Sequence, residues 1–97
     1  MRPILPDDVN IAARALLAAP MEGRERLCRR MIVEADAALV HVNRTGVLHP
    51  AWGNGSLTSA ARKRRLAPPP EGDDLDYCRC METVVFCLIE HQATLRH

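Results

Sequence analysis

"MEGRERLCRRMIVEADAALVHVNRTG", residues 21–46, is the stretch that decides how this chain folds. At about 100° per residue, Leu27, Met31, Ala35, Ala38, Leu39 and Val42 fall on one arc, with Cys28 and Ile32 at its edges. Pro20 suits a first helical position, where its missing N–H costs nothing, and Gly46 suits a left-handed stop. The spacing predicts one long helix over residues 21–45.

A second pattern runs from about Asp74 to Thr94. Leu75, Cys78, Met81, Val85, Leu88, Ile89 and Gln92 recur at helical spacing, and Asp73, Asp74 and Asp76 favour the positive end of the helix dipole. A shorter helix over about residues 7–19 begins at Pro6 and two aspartates, with Val9, Ala12, Ala13 and Leu16 facing inward. Ser56 can cap another short helix whose apolar contacts are Leu57, Ala60 and Ala61. Three consecutive prolines then stiffen residues 66–73 into a linker. No alternating strand pattern of useful length interrupts this order. The expected fold class is all-α: a small bundle of about four helices, two long and two short, forming one domain over residues 1–97.

Composition agrees with that architecture. Apolar residues make up 47% of the chain but aromatic residues only 3%. Alanine, leucine and valine must therefore fill the interior, which suits close-packed helices. Cations and anions nearly cancel, 13 against 12, so the protein as a whole has no electrostatic call for a polyanion. No run reaches the roughly 18 uncharged apolar residues of a membrane span. Asp7 and Asp8 also interrupt the place where a secretory signal would be apolar. These features predict a cytoplasmic protein without a membrane partner, with Cys28, Cys78, Cys80 and Cys87 as thiols.

Local charge is less even. No acidic residue lies between Asp36 and Glu71, while Arg44, Arg62, Lys63, Arg64 and Arg65 all do. The stretch "HPAWGNGS", residues 49–56, precedes the short helix. One reading makes it an anion or nucleic-acid site, with amides of Gly53, Gly55 and Ser56 around a phosphate, Trp52 as a stacking surface and the cations adding charge. The other makes it a structural corner, with Trp52 plugging the junction of the long and short helices. Neither a G-x-G-x-x-G nor a G-x-x-x-x-G-K-[ST] pattern is present. The loop and Arg64 would also stand roughly 12 Å apart along a helix. The corner is the favoured reading and the nucleic-acid surface the alternative.

Nothing in the chain spells out a catalytic set. Cys80, Cys87 and His91 share one side of the last helix, but the two cysteines lie roughly 10 Å apart along its axis, too far to ligate one zinc ion. Cys87 and His91 alone could share a metal. His41 and His49 have no serine or carboxylate at a spacing that would assemble nucleophile and base. No catalytic, metal or cofactor residue is assigned, and the expectation is a protein that is not an enzyme.

A second apolar stripe points elsewhere. Val33, Ala37 and Val40 lie away from the main arc of the long helix, flanked by Arg26 and Arg44, and Phe86 lies outside the main arc of the last one. These four residues are the candidate interaction surface, covered by a protein partner or by a second copy in a homodimer.

"RPILPDDVNIAARALLAAP", "LCRRMIVEAD" and "LHPAWGNGSL" resemble a group of short, uncharacterised alphaproteobacterial proteins over most of the chain. The resemblance implies a small cytoplasmic protein and carries no functional motif or site residue. Together these readings describe a non-enzymatic interaction or self-association module; the alternative is a nucleic-acid-binding accessory protein using segment 44–65.

Overall fold

The computed structural model describes residues 1–95. Its elements are α1 (Pro6–Leu17), α2 (Arg24–Thr45), α3 (Leu57–Ala61) and α4 (Leu75–Leu95), with a 3-10 turn at Met21–Gly23 leading into α2. Among the described residues no strand forms; an isolated antiparallel bridge joins His49 and Gly53. The all-α expectation is correct, with two long and two short helices. No helix is long and apolar enough to cross a membrane among the described residues.

The bundle is built around α1. Ile11, Ala12, Ala13, Ala15 and Leu16 are all buried, and their positions cover most of the helix circumference. Asp7, Asn10 and Arg14 take the remaining arc, so α1 buries one broad face. Three alanines keep it thin enough for α2, α3 and α4 to pack against it from different sides. The resulting core is one cluster drawn from all four helices. Full burial of a side chain such as Leu16 contributes about 1.5–3 kcal/mol.

The two long helices differ from their sequence reading by a rotation. In α2 the fully buried residues are Cys28, Met31, Ile32, Ala35 and Ala38, while Leu27, Leu39 and Val42 are only partly covered. In α4 the buried face is Cys80, Val84, Cys87 and Leu88, with Tyr77 and Met81 beside it. Leu75 is 68% exposed, Ile89 62% and Val85 43%, and Cys78 is exposed as well. The expected inner arc of α4 was thus displaced. Its apolar residues span two adjacent arcs, and small cysteines fit the tight seam against α2 better than leucine or isoleucine do.

Helix ends follow local chemistry. Gly46, at φ 76°, stops α2 as expected and donates its N–H to the Val42 carbonyl at 2.8 Å. Pro20 is not the first residue of the long helix. It precedes the 3-10 turn with an extended ψ of 142° and accepts the Gly23 N–H at 3.1 Å, so α2 starts at Arg24. Asp74 caps α4 by accepting the Tyr77 N–H at 3.0 Å. The proline-rich linker is tied to the end of α1. Ala67 donates its N–H to the Arg14 carbonyl at 3.0 Å and accepts from Arg14 Nε at 2.8 Å.

One polar residue enters the core. Asp8 is 4% exposed. Its Oδ2 accepts the Leu5 N–H at 2.8 Å, closing the start of α1. Its Oδ1 accepts the Thr58 N–H at 3.0 Å and the Thr58 hydroxyl at 2.6 Å, filling the start of α3. A buried carboxylate is tolerated only when its lone pairs are used, and these three donors, aided by two helix dipoles, use them.

Removing Asp8 leaves two backbone donors, those of Leu5 and Thr58, without their acceptor. The Asp8→Ala variant is expected to lose about 2–4 kcal/mol of stability, while the exposed Asp7→Ala control stays within about 0.5 kcal/mol. Urea unfolding followed by circular dichroism measures both; an Asp8→Ala midpoint equal to the control's contradicts the assignment.

Candidate functional site

The 49–56 corner is built almost entirely from its own side chains. His49 Nδ1 accepts the N–H groups of Ala51 at 3.0 Å and Trp52 at 3.1 Å. The backbones of His49 and Gly53 exchange hydrogen bonds of 2.8 and 3.1 Å. Asn54 Oδ1 accepts the Ser56 N–H at 2.9 Å and the Ser59 hydroxyl at 2.8 Å. Ser56 caps α3 as expected, accepting the Ser59 N–H at 3.1 Å. Arg2 closes the outside, with its N–H on the Gly55 carbonyl at 2.8 Å and its Nε on the Asn54 carbonyl at 2.7 Å.

The glycine at 55 has a steric reason. Its φ is +93°, and a Cβ there would lie 2.7 Å from Leu39 Cβ and 2.8 Å from Leu39 Cα. The loop backbone therefore rests directly on α2, a contact that only glycine permits. Trp52 does not fill the junction between helices. It is half-buried and stacks on the His49 ring at 4.6 Å, with 9° between planes. His49 in turn meets the edge of His41 at 5.1 Å. The two histidines thus join the tryptophan in an aromatic cap over the end of α2, a grouping their sequence separation concealed.

This geometry bears on the proposed anion site. The amides of Ala51, Trp52, Gly53, Ser56, Thr58 and Ser59 all have internal acceptors. The start of α3 already faces a carboxylate, that of Asp8. The cations are dispersed too. Helix α3 ends at Ala61, so residues 62–65 follow it and do not form its last turn. Arg64 turns inward, donating Nη1 to the Ala60 carbonyl at 2.9 Å and Nη2 to Glu34 Oε2 at 2.7 Å. Arg44, Arg62, Lys63 and Arg65 are exposed and make no ion pair among the described residues.

The thiols and the remaining histidine serve the helix seams. Cys28, Cys80 and Cys87 are buried and Cys78 is exposed. Burial pushes all three interior thiols up, Cys28 furthest, with the adjoining Cys87 adding to the effect there. His91 Nε2 lies 2.8 Å from Asp36 Oδ2 on α2, in ion-pair range though not aligned for a hydrogen bond. Among the described residues no group of three or more His, Cys, Asp or Glu side chains converges on a metal position.

The apolar surface is more extensive than the four residues singled out from the sequence. Val33 is 63% exposed, Val40 54% and Phe86 48%, and Ala37 is exposed between the two valines. Val33 and Phe86 flank the α2–α4 seam on either side of Arg29, which bridges Glu25 at 2.8 Å and Glu90 at 2.9 Å. On the other side of α4, Ile4, Val9, Val85, Leu88 and Ile89 line an open apolar groove of about 640 Å³. Val85, Leu88 and Ile89 belonged to the expected core, which is why the groove escaped notice in the sequence.

Fold and surface together define a small all-α protein whose apolar side chains exceed what its core uses. The chain belongs to a family built on a domain of unknown function, DUF7742, matched over residues 2–88. No curated protein and no solved structure matches it.

The thiols give a pH signature. Their folded-state pKa values are raised, so their contribution to stability is complete below the unfolded thiol value of about 8.5 and is lost as pH rises above it. Stability in reductant is expected to fall between about pH 8 and 9.5, by up to about 1.4 kcal/mol per pH unit for each buried thiol. Urea titrations across that range should show a shallower decline for Cys28→Ala. With a thiol reagent, Cys78 should react before the other three, which should react only on unfolding; a buried thiol as fast as Cys78 contradicts the packing.

Proposed function

We propose that the protein is a non-enzymatic interaction module that associates with a second copy of itself through the outer face of α4. The observation that carries this is the open apolar arc of that helix. Leu75, Cys78, Val85, Phe86, Ile89 and Ala93 fall within about 100° in helical projection, and all are exposed. Such an arc on a domain this small is a liability unless covered, and a short chain gains burial by pairing.

A second copy fits the charges beside the arc. Arg79 and Glu90 stand on the same flank of α4, and Arg29 takes only Oε2 of Glu90. Antiparallel packing of two α4 helices about a twofold axis sets Arg79 of one copy near Glu90 of the other, twice. It also brings Val85 near its own counterpart, and Phe86 near its own, at the centre. Four unbridged thiols suit the reducing cytoplasm that the sequence suggests. The nucleic-acid reading has less support, because two of the three amides that would hold a phosphate, those of Gly53 and Ser56, have internal acceptors.

Size-exclusion chromatography with light scattering is expected to give a dimer at micromolar concentration. Val85→Glu and Ile89→Glu should each give a folded monomer, and Val33→Glu should remain dimeric. A wild-type monomer at high micromolar concentration ends the proposal.

A further inference from the structure

A second exposed face has a different chemistry. Arg26, Arg30, Val33, Ala37, Val40 and Arg44 fall within about 80° of one another on α2 in helical projection, and all six are exposed. The carboxylates bordering this face are already neutralised: Glu25 by Arg29 at 2.8 Å, and Glu34 by Arg64 at 2.7 Å. Arg26, Arg30 and Arg44 make no ion pair among the described residues. The Arg64–Glu34 contact lies at the edge of this face and leaves Glu34 paired. A protein of net charge +1 thus carries three unopposed arginines along one helix face.

We infer that this face of α2 docks an acidic amphipathic helix belonging to a different protein. The unopposed arginines, before and after the apolar spine along the helix axis, call for carboxylates near both ends of the partner helix. The spine between them calls for apolar side chains: Val33 is 63% exposed and Val40 54%. Ala37, between the valines, lets a second helix axis come close. From Arg30 to Arg44 the face runs roughly 21 Å, about four helical turns.

Nucleic acid is the poorer match. Its phosphates gain nothing from valine and alanine at the centre of the face, and no aromatic side chain stands there for a base, since Trp52 stacks on His49. The inference is independent of the α4 pairing, because the two faces lie on different helices and share no residue.

Fluorescence anisotropy tests it with three labelled probes. The first is a synthetic helix about four turns long, with leucines at i, i+3, i+4 and i+7 in its middle and glutamates in its first and last turns. The second keeps the glutamates and replaces each leucine by glutamine. The third is a short DNA duplex. The leucine peptide is expected to bind at least about tenfold tighter than the other two. Val33→Ser with Val40→Ser should abolish that preference, and Arg30→Glu or Arg44→Glu should weaken binding of both peptides. Circular dichroism checks that these surface variants fold.

Equal binding of the two peptides, DNA binding as tight as the leucine peptide, or no binding at all overturns the inference. The Val85→Glu variant should bind the leucine peptide as wild type does. Loss of binding there would place the peptide on α4, overturning docking on α2 while leaving self-association standing.

Discussion

A single buried carboxylate joins the two ends of this architecture. Asp8 closes the start of α1 through the Leu5 amide and the start of α3 through Thr58, fifty residues away in sequence. Helix α3 has only five residues and could not persist in water on its own. It exists because Asp8 satisfies its first turn and because Leu57, Ala60 and Ala61 are buried against α1 and α2. Once α3 is fixed, the 49–56 corner has a defined end. Gly55 then rests on Leu39, and Arg64 reaches Glu34. That last contact pairs Glu34 at the edge of the outer side of α2.

The same interaction separates structure from function in the glycine loop. A stretch with glycines, serine and nearby cations has the composition of an anion site. Most of its backbone donors are nevertheless taken, by His49, Asn54, Ser56 and Asp8. The anion that completes the helix start is a residue of the chain. What remains available for partners is carried by side chains that the fold does not use: the outer arc of α4 and the arginine-flanked spine of α2.

The helices were legible in the sequence because their apolar spacing, caps and stops agree. Gly46 and Ser56 act as their residue types suggest, and the boundaries at 45 and 57 follow. The rotation of α4 was not legible. Its apolar residues populate two neighbouring arcs, and periodicity alone favours the bulkier set, Leu75, Val85 and Ile89, over the cysteines that pack inside. The central place of α1 was hidden for a related reason, since alanines give a weak hydrophobic signal although they permit the closest packing. Of the candidate surface residues, Val33, Ala37, Val40 and Phe86 could be placed outside the core from spacing alone. The groove beside Val85 and Ile89 could not, because it requires knowing which arc turned inward. Pairings such as Asp8 with Thr58, or Arg64 with Glu34, depend on tertiary approach and leave no local trace.

Amide hydrogen exchange at Thr58, followed by NMR, tests the central role of Asp8 most directly. The first amides of a helix ordinarily lack an intrahelical partner and exchange readily. With the buried Asp8 carboxylate as acceptor, the Thr58 amide should exchange as slowly as the core amides of α1, and added phosphate should leave its resonance unmoved. Rapid exchange at Thr58, or a resonance that shifts as phosphate is titrated in, would contradict the account.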